Sequence, residues 1–369
     1  MNNSWEQKWL EDIDFLSSNL KSKHKNLFFN ISEEDFNYKI DSLKLRINDL
    51  DYNEMKVEIS RVVASIGDAH TALTFPAKKY LGVKFYWFED GIYIIRGTYK
   101  YRDLLYKKVD SINGVAISEV VSDIADIVSC ENQYLLKAQT TKYMQVAEVL
   151  YGLLIIDDMD SIKIVLEGEE FELETISPSE IDYINEDKLP LYARQSMNNF
   201  WYHYIEENNE IYIKYNSCRE SGSLMLSEKI QEAILFIEEN YIVNVTIDLR
   251  NNLGGDSTLL RDLIDYIKGN NKINKKENLR VIIGRETFSS ALLNAYEFKN
   301  ETNAKIIGEP SGGKPNCYGE ILKITLPNSK LNISYSTKFY KLIEDDKVMA
   351  LYVDELIYEK IEDYYVSGN

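Results

Sequence analysis

The sequence predicts an α/β protein with a helical N-terminal region over residues 1–75, a β-rich module over 76–200 and an α/β domain over 201–369. Two observations carry this prediction. In the last segment, near-continuous apolar runs alternate with helical patterns, as is typical of a buried parallel sheet. In the middle segment, shorter runs flank turn residues instead. With 369 residues, the chain is long enough for more than one domain.

Residues 4–66 are predicted to be helical because apolar residues recur at helical spacing. The segments SWEQKWLEDIDFLSSNL and SEEDFNYKIDSLKLRINDL give two helices, the second of which begins after a Ser32 cap. A third helix, in YNEMKVEISRVVASIGDAH, stops at Gly67. This part of the chain is therefore expected to pack as a small helical layer.

The middle segment contains two hairpin patterns and, between them, a strand–turn–helix pattern. In LGVKFYWFEDGIYIIRG, two strands flank an Asp-Gly turn. KKVDSINGVAISEVVSDIADIV gives a strand, an Asn-Gly turn and an amphipathic helix, and SIKIVLEGEEFELETI gives a closing hairpin. We expect a small β-rich module with one or two helices.

From about residue 209, strands and helices alternate. The predicted elements are, in order, the strand EIYIKYNS, a helix over 223–240, the strand in NVTIDLRNNLGG, a helix over 256–268, the strand LRVIIG, a helix from about 289 to 299, and the strand AKIIGEP. ILKITLPNSKLNISYS then predicts a hairpin through Pro327-Asn328. The C-terminal YVDELIYEKIEDYY fits a strand plus a short acidic helix.

The composition argues against several classes of partner. Acidic residues outnumber basic ones 60 to 42, and the net charge of −18 disfavours a nucleic acid partner. No apolar run is long enough to cross a bilayer, and no secretion signal is visible. The three cysteines, Cys130, Cys218 and Cys317, are too few for a disulfide scaffold and wrongly spaced for a zinc site. We expect a cytoplasmic, reduced protein; the sequence does not predict its oligomeric state.

Two stretches at predicted strand ends could carry chemistry. In IDLRNNLGGDS, Gly254 and Gly255 would let backbone N–H groups approach a ligand closely and stabilise an oxyanion, although a purely structural turn explains them equally well. In GRETFSSALLNAYEF, Ser289 and Ser290 begin a predicted helix. A serine there is either a cap or a nucleophile favoured by the helix N-terminus.

A nucleophilic serine needs a base. His70 lies in the loop of SIGDAHTALTF, where a structural role is the alternative. Lys314, in GEPSGGKPNCYGE, could act as a base if desolvated, or be an ordinary loop lysine. The other histidines fit less well: His24, flanked by lysines, is predicted to be solvated, and His203 to be packed or partly exposed among aromatic residues.

Taken together, IGDAHTAL, IDLRNNLGGDS, TFSSALLNA and IGEPSGGKPNCYGE follow the order and approximate intervals of the motifs of tail-specific (C-terminal processing) serine peptidases. The chain most resembles the branch of that family related to the tricorn core and interphotoreceptor retinoid-binding protein. The resemblance covers nearly the whole chain. It implies a crotonase/Clp-protease-like catalytic domain, a helical N-terminal region and a degenerate PDZ-like middle module.

The resemblance also implies roles for individual residues. Ser289 matches the family's nucleophile, and the N–H of Ser290, with one from the Gly254-Gly255 turn, would form the oxyanion hole. The family has two kinds of base, and these match His70 and Lys314. His70 is favoured because GGKPN resembles a turn of the histidine branch.

Three positions depart from the family pattern. Ala69 stands where the tricorn-type tetrad has a serine, and Val353-Asp354 stands where the family has Pro-Asp. The acidic residue that orients the base is not obvious, and Glu320 is the candidate. These departures leave a non-catalytic binding protein on the same scaffold as an alternative.

The sequence thus predicts a serine peptidase acting on peptides or unfolded proteins through an acyl-enzyme on Ser289, with His70 or Lys314 as general base. The resemblance implies no metal or organic cofactor. Besides a ligand- or peptide-binding protein, a small-molecule acyl hydrolase is a third possibility, because the same residues could support it.

Overall fold

The chain forms two compact units, each discontinuous in sequence, in a computed structural model that describes residues 4–184, 189–220 and 225–366. The first unit comprises Met1–Glu131, Leu136–Ile184 and Cys317–Tyr340. The second comprises Asn132–Leu135, Asn185–Asn316 and Lys341–Asn369. This division differs from the three predicted segments, since residues 317–340 join the N-terminal part of the chain.

Most helices of the described residues lie close to predicted positions, but α5 and α6 were not predicted, and the middle segment has three helices instead of the expected one or two. They are α1 (Trp5–Lys23), α2 (Glu33–Arg46), α3 (Tyr52–Ala64), α4 (Ile117–Ala125), α5 (Gln133–Tyr143), α6 (Ala147–Gly152), α7 (Leu226–Glu239), α8 (Arg261–Gly269), α9 (Ser290–Glu301) and α10 (Ile361–Val366). Ser32 caps α2 as predicted, since its hydroxyl accepts the N–H of Asp35 at 3.0 Å. The first two residues of the helix predicted over 223–240 lie outside the described residues.

The strands include every strand predicted from the sequence. They are β1 (Leu73–Thr74), β2 (Tyr80–Leu81), β3 (Val83–Phe88), β4 (Gly91–Gly97), β5 (Val109–Ile112), β6 (Val115–Ala116), β7 (Ser161–Leu166), β8 (Glu169–Ile176), β9 (Phe200–Ile205), β10 (Glu210–Tyr215), β11 (Asn244–Asp248), β12 (Leu279–Ile283), β13 (Lys305–Gly308), β14 (Cys317–Thr325), β15 (Asn332–Tyr340) and β16 (Glu355–Leu356).

The first unit combines α1–α3 with three small sheets. The predicted hairpins β3–β4 and β7–β8 are present, and β7–β8 belongs to a sheet of order β2-β8-β7-β5-β6. The hairpin β14–β15 pairs with β1, with Leu73 opposite Ile333. It joins this unit because its apolar residues, such as Leu326, are buried in the same core as Ile13 of α1 and Ile59 of α3.

The second unit is built on a six-stranded sheet of order β16-β13-β12-β11-β10-β9. The pairs from β10 to β16 are parallel, and β9 pairs antiparallel with β10. This confirms the predicted parallel sheet. All six residues of β10 are buried, including the charged Lys214, as is typical of a strand inside a parallel sheet. Helices α7, α8 and α9 supply buried residues such as Ile230, Ile264 and Ala295 to the same core.

No described helix is long and apolar enough to cross a membrane. Nor do the described residues include a group of three or more His, Cys, Asp or Glu side chains that could hold a metal ion.

Candidate active site

Ser289 lies in the second unit, between β12 and the first turn of α9, in an unusual backbone conformation. Its φ of 51° and ψ of −126° place a non-glycine residue in a region that disfavours a Cβ atom. Although Ser289 occupies the N-cap position of α9, its side chain makes no capping hydrogen bond. The turn from β12 to α9 therefore holds Ser289 in a strained conformation with its hydroxyl free of any capping role.

The neighbouring hydroxyl groups do not cap α9 either. Ser290 donates its hydroxyl hydrogen to the carbonyl of Gly255 at 2.6 Å. Thr287 donates to the carbonyl of Leu249 at 2.9 Å and accepts the N–H of Gly284 at 3.0 Å. These hydrogen bonds fasten the turn that carries Ser289 to segments at the ends of the neighbouring strands. The capping interpretation of the paired serines is therefore wrong, because tertiary contacts use Ser290 and Thr287 differently.

The glycine turn lies directly against Ser289. Gly254 has a φ of 101° and Gly255 a φ of 141°, both unfavourable for other residues. A Cβ atom on Gly254 would lie 2.8 Å from the Cβ of Ser289 and 2.8 Å from the backbone nitrogen of Ser290. A Cβ atom on Gly255 would lie 2.0 Å from the carbonyl oxygen of Cys218. Close backbone approach, rather than a simple reversal of the chain, therefore requires both glycines.

The N–H groups of this turn differ in availability. The N–H of Gly254 donates to the side-chain oxygen of Asn252 at 2.9 Å. Within the described part of the chain, no hydrogen bond is found for the N–H groups of Gly255 and Ser290. Of the three residues predicted for an oxyanion hole, Gly255 and Ser290 therefore have unused donors, whereas the donor of Gly254 is engaged.

Asn252, which was predicted only as part of the IDLRNNLGGDS motif, connects three segments of this region. Its side chain is fully buried, and its amide nitrogen donates to the carbonyl of Tyr215 at 3.0 Å, at the end of β10. Its backbone carbonyl accepts the N–H of Phe288 at 3.1 Å, one residue before Ser289. Asn252 thus links the glycine turn, the end of β10 and the turn that carries Ser289. Only the fold brings these three segments together.

A cluster of buried charged residues lies at the ends of β10 and β11, just before the glycine turn in the chain. Lys214 and Asp248 are both fully buried, and their Nζ and Oδ1 atoms lie 2.9 Å apart. Lys214 also donates to the side-chain oxygen of Asn251 at 2.9 Å, and Arg250 Nε lies 2.8 Å from Asp248 Oδ2. Burial alone would raise the pKa of Asp248, but Arg250 and Lys214 hold it below its usual range. Burial lowers the pKa of Lys214, against the charge of Asp248.

Arg250 is covered by side chains from two separate parts of the second unit. Its guanidinium group lies over the ring of Tyr192, 4.1 Å from the centroid, and 3.5 Å from a carboxylate oxygen of Glu359. Glu359 also accepts hydrogen bonds from the hydroxyl groups of Tyr192 and Tyr364. Arg250 is thereby stacked and paired, as expected for a buried guanidinium.

His70 lies in the first unit, in the loop between α3 and β1. Its ring is largely buried, and its Nδ1 atom lies 4.0 Å from Oδ1 of Asp68. Burial lowers the pKa of His70, while the charge of Asp68 and the backbone of Tyr318 act in the opposite direction. The imidazole is thus held in the neutral form that a general base requires.

The structure corrects the prediction for His24. Instead of being solvated, the His24 side chain is fully buried, and its Nε2 atom lies 2.9 Å from Oδ2 of Asp68. The flanking lysines favoured a solvated ring, but His24 is the C-cap of α1, where the backbone becomes extended, and its ring meets Asp68, which is distant in the sequence. The sequence analysis also did not select Asp68 as the acidic residue beside His70. Its position two residues before His70 in the GDAHT motif was the signal that could have indicated it.

Lys314 and Glu320 lie in different units and differ in whether their side chains are hydrogen-bonded. Lys314, in the second unit, is half-buried and makes no hydrogen bond or ion pair with any other described residue. Glu320, in the first unit, is exposed, and its carboxylate accepts the hydroxyl of Tyr340 at 2.5 Å. The carboxylate found beside His70 is Asp68, and the role predicted for Glu320 stays a prediction.

Comparison with solved structures identifies the class of fold. No family model matches the sequence, and no curated protein matches it. The fold is nevertheless that of the tail-specific peptidases, the family that the sequence motifs resemble. The predicted resemblance is therefore confirmed for the fold, and the α/β class with it.

Two of the matching solved structures are of CPAF. Mature CPAF complexed with lactacystin matches with a TM-score of 0.69 and 11% identity, over 98% of this chain and 96% of that chain. A CPAF mutant matches with a TM-score of 0.70 and 10% identity, over 98% and 95% of the two chains. The tricorn protease also matches, with a TM-score of 0.47 and 13% identity, over 100% of this chain and 36% of that chain.

Proposed function

We propose that the protein is a serine peptidase that hydrolyses peptide bonds through an acyl-enzyme on Ser289, with His70 as the general base. The observation that carries this proposal is the conformation of Ser289. A residue with a φ of 51°, whose hydroxyl is not used for capping, is held against a glycine turn that admits no side chain. Backbone strain of this kind costs about 1–3 kcal/mol and persists where the surrounding structure enforces it, often at functional sites.

The reaction would proceed in two steps. The Ser289 hydroxyl oxygen attacks the scissile carbonyl carbon while the neutral imidazole of His70 takes the hydroxyl proton. The N–H groups of Ser290 and Gly255 stabilise the resulting oxyanion, supported by the positive end of α9. The imidazolium then protonates the leaving amine, and water hydrolyses the ester formed on Ser289. No metal or organic cofactor takes part in this scheme.

His70 is preferred to Lys314 as the base for two reasons. His70 is buried and has the carboxylate of Asp68 4.0 Å away to stabilise the imidazolium that forms. Lys314 has no such partner among the described residues and is only half-buried. Because a lysine must be desolvated to act as a base near neutral pH, its surroundings suit the role less well.

The nucleophile is tested with a fluorophosphonate probe and with peptide hydrolysis. The wild-type protein should be labelled at Ser289, as located by mass spectrometry of the tryptic peptide. Ser289→Ala should lose both labelling and hydrolysis, whereas Ser290→Ala, which keeps its backbone N–H, should retain labelling. A Ser289→Ala variant that still cleaves peptides would overturn the assignment. A folded wild-type protein that never reacts would favour a non-catalytic binding protein.

The base is tested separately, because His70 belongs to the first unit and Ser289 to the second. His70→Ala should lower kcat/KM by about 10²–10⁴-fold, the usual contribution of general acid–base catalysis. Lys314→Met should leave kcat/KM within a few-fold of the wild-type value. The opposite ranking would transfer the role to Lys314. Parallel assays with peptides and small esters would distinguish a peptidase from an acyl hydrolase.

We also propose finer descriptions of the two units. The parallel sheet of the second unit would be the crotonase/Clp-protease-like catalytic domain. The sheet β2-β8-β7-β5-β6 would be a degenerate PDZ-like module, supported by its strand, Asn113-Gly114 turn and helix α4. Peptide titration of the catalytically inactive Ser289→Ala protein, followed by NMR, tests this. Shifts confined to residues outside this sheet would contradict a peptide-binding role for the module.

A further inference from the structure

His24 is buried at a point where a surface residue would be expected. It directly follows α1 and lies between Lys23 and Lys25. The ring nevertheless points inwards, is fully buried, and packs against the ring of Tyr318 with a centroid separation of 5.7 Å. Burying a polar ring is unfavourable unless its nitrogen atoms are hydrogen-bonded, so both ring nitrogens of His24 need partners inside the protein.

Those contacts define the tautomer of His24. Its Nδ1 atom accepts the backbone N–H of Asn26 at 3.1 Å, so Nδ1 carries a lone pair rather than a proton. The proton of the neutral ring is then on Nε2, which donates to Oδ2 of Asp68 at 2.9 Å. Protonating Nδ1 would break the bond to Asn26. His24 is thus a neutral hydrogen-bond donor with a fixed direction.

Asp68 receives donors on both of its oxygens. Besides His24, Oδ2 accepts the hydroxyl groups of Thr71 at 2.5 Å and Ser336 at 2.6 Å. Oδ1 accepts the backbone N–H of His70 at 3.0 Å. Burial would raise the pKa of Asp68, but the hydrogen bonds from His24, Ser336 and Thr71 lower it. The carboxylate is therefore ionised at neutral pH and cannot rotate without losing several hydrogen bonds.

We propose that His24 is a positioning residue, which holds the ionised carboxylate of Asp68 beside His70 and thereby strengthens His70 as a base. The inference rests on the proposed role of His70. In this arrangement, Asp68 supplies the negative charge that stabilises the imidazolium, from 4.0 Å away. Among the described residues, the titratable side chains that face Asp68 are His24 and His70, and the ring of Tyr318 packs against His24. Asp68 thus takes the part predicted for Glu320.

The pKa of His70 can be measured directly by NMR, because the chain has only three histidines. Asp68→Asn should lower the pKa of His70, since the nearby negative charge is lost. His24→Leu should lower it in the same direction, and each variant should lower kcat/KM by on the order of tenfold or more, within the range for general base catalysis. His24→Gln, which retains an N–H donor, should restore both values towards wild type.

The matched control is His203→Gln, which changes an exposed histidine on β9 and should alter neither quantity. A folded His24→Leu variant with an unchanged His70 pKa and unchanged kcat/KM would overturn the proposal. So would a variant that loses only thermal stability, because that result indicates a purely structural role.

Two further measurements keep the test decisive. If His24→Leu does not fold, Ser336→Ala removes another donor to the same oxygen of Asp68, and an unchanged His70 pKa there would overturn the proposal. If the wild-type protein lacks peptidase activity but His24 and Asp68 variants still shift the pKa of His70, then the proposed catalytic function fails. The structural link between the two histidines would then stand.

Discussion

The hydroxyl group of Ser290 donates a 2.6 Å hydrogen bond to the carbonyl of Gly255, which ties the first turn of α9 to the glycine turn after β11. This bond uses the side chain of Ser290 for structure and leaves its backbone N–H for another role. Adjacent serines in the sequence therefore have separate tasks: Ser290 fastens the turn, and Ser289 presents the hydroxyl.

The side chain of Ser290 should matter for stability more than for reactivity. Ser290→Ala removes the hydrogen bond to Gly255 and should lower the free energy of unfolding by about 1 kcal/mol, the usual value for one such bond. Fluorophosphonate labelling of Ser289 should continue because the backbone N–H remains. Urea denaturation and a labelling time course measure the two effects. Complete loss of labelling in a folded variant would contradict this division of roles.

Gly254 should not tolerate even a methyl group. In Gly254→Ala, the added carbon would meet Ser289 and Ser290 at 2.8 Å, and alanine is strained at a φ of 101°. We expect a loss of stability of about 1–3 kcal/mol, together with slower labelling of Ser289, because the turn that carries Ser289 must shift. Gly269→Ala at the end of α8 is the matched control, since its added carbon meets no atom within 4 Å. Equal labelling rates in the two variants would show that Gly254 is only a turn residue.

The buried charge of Asp248 should be essential for folding. Asp248→Asn keeps the size of the side chain but leaves Lys214 and Arg250 without their shared partner. Removing one member of a buried pair typically costs about 3–5 kcal/mol. Asp265→Asn is the control, because the ion pair of Asp265 with Arg261 is exposed and should contribute little. Thermal denaturation should separate the two variants clearly, and similar melting temperatures would argue against the cluster as a support of the turn.

His70 should make the fold sensitive to mild acid. Burial holds the pKa of His70 below its ordinary value of 6.5, so between that value and the folded-state pKa the unfolded chain binds more protons. The free energy of unfolding should therefore fall as pH drops from about 6.5 through the folded-state pKa, and the contribution should be fully present above pH 6.5. Urea titrations of wild type and His70→Gln across this range measure it. The variant should show a shallower slope, and identical slopes would exclude His70 as the source.

Local patterns in the sequence were sufficient for most of the elements. The period of apolar residues predicted α1–α3, and the continuous apolar strands predicted the parallel sheet of the second unit. Asp-Gly and Asn-Gly turns predicted β3–β4 and the β5–α4 segment. These features depend on neighbours within a few residues, which is the range over which propensity and periodicity act.

Local pattern also predicted candidate residues, though not their use. The motifs around His70, Gly254 and Ser289 were visible, because glycines and helix starts are marked by residue type. The backbone strain at Ser289 was not visible in the sequence, since it results from contacts with the glycine turn and with Asn252. Nor could the sequence separate the side-chain role of Ser290 from capping, because the acceptor, the carbonyl of Gly255, is distant in the chain.

The sequence by itself determined most of the helices and strands, though not α5, α6 or β9, together with the parallel sheet and the positions at which a nucleophile and a base could lie. Only the tertiary structure decided that β14–β15 completes the first unit and that His24 reaches Asp68. Only the tertiary structure, likewise, showed that Lys214 is buried and paired with Asp248. The physical reason is the same in each case. Burial and pairing of polar groups depend on which distant segments meet, and a buried charge or imidazole is stable only where its partners are already in place.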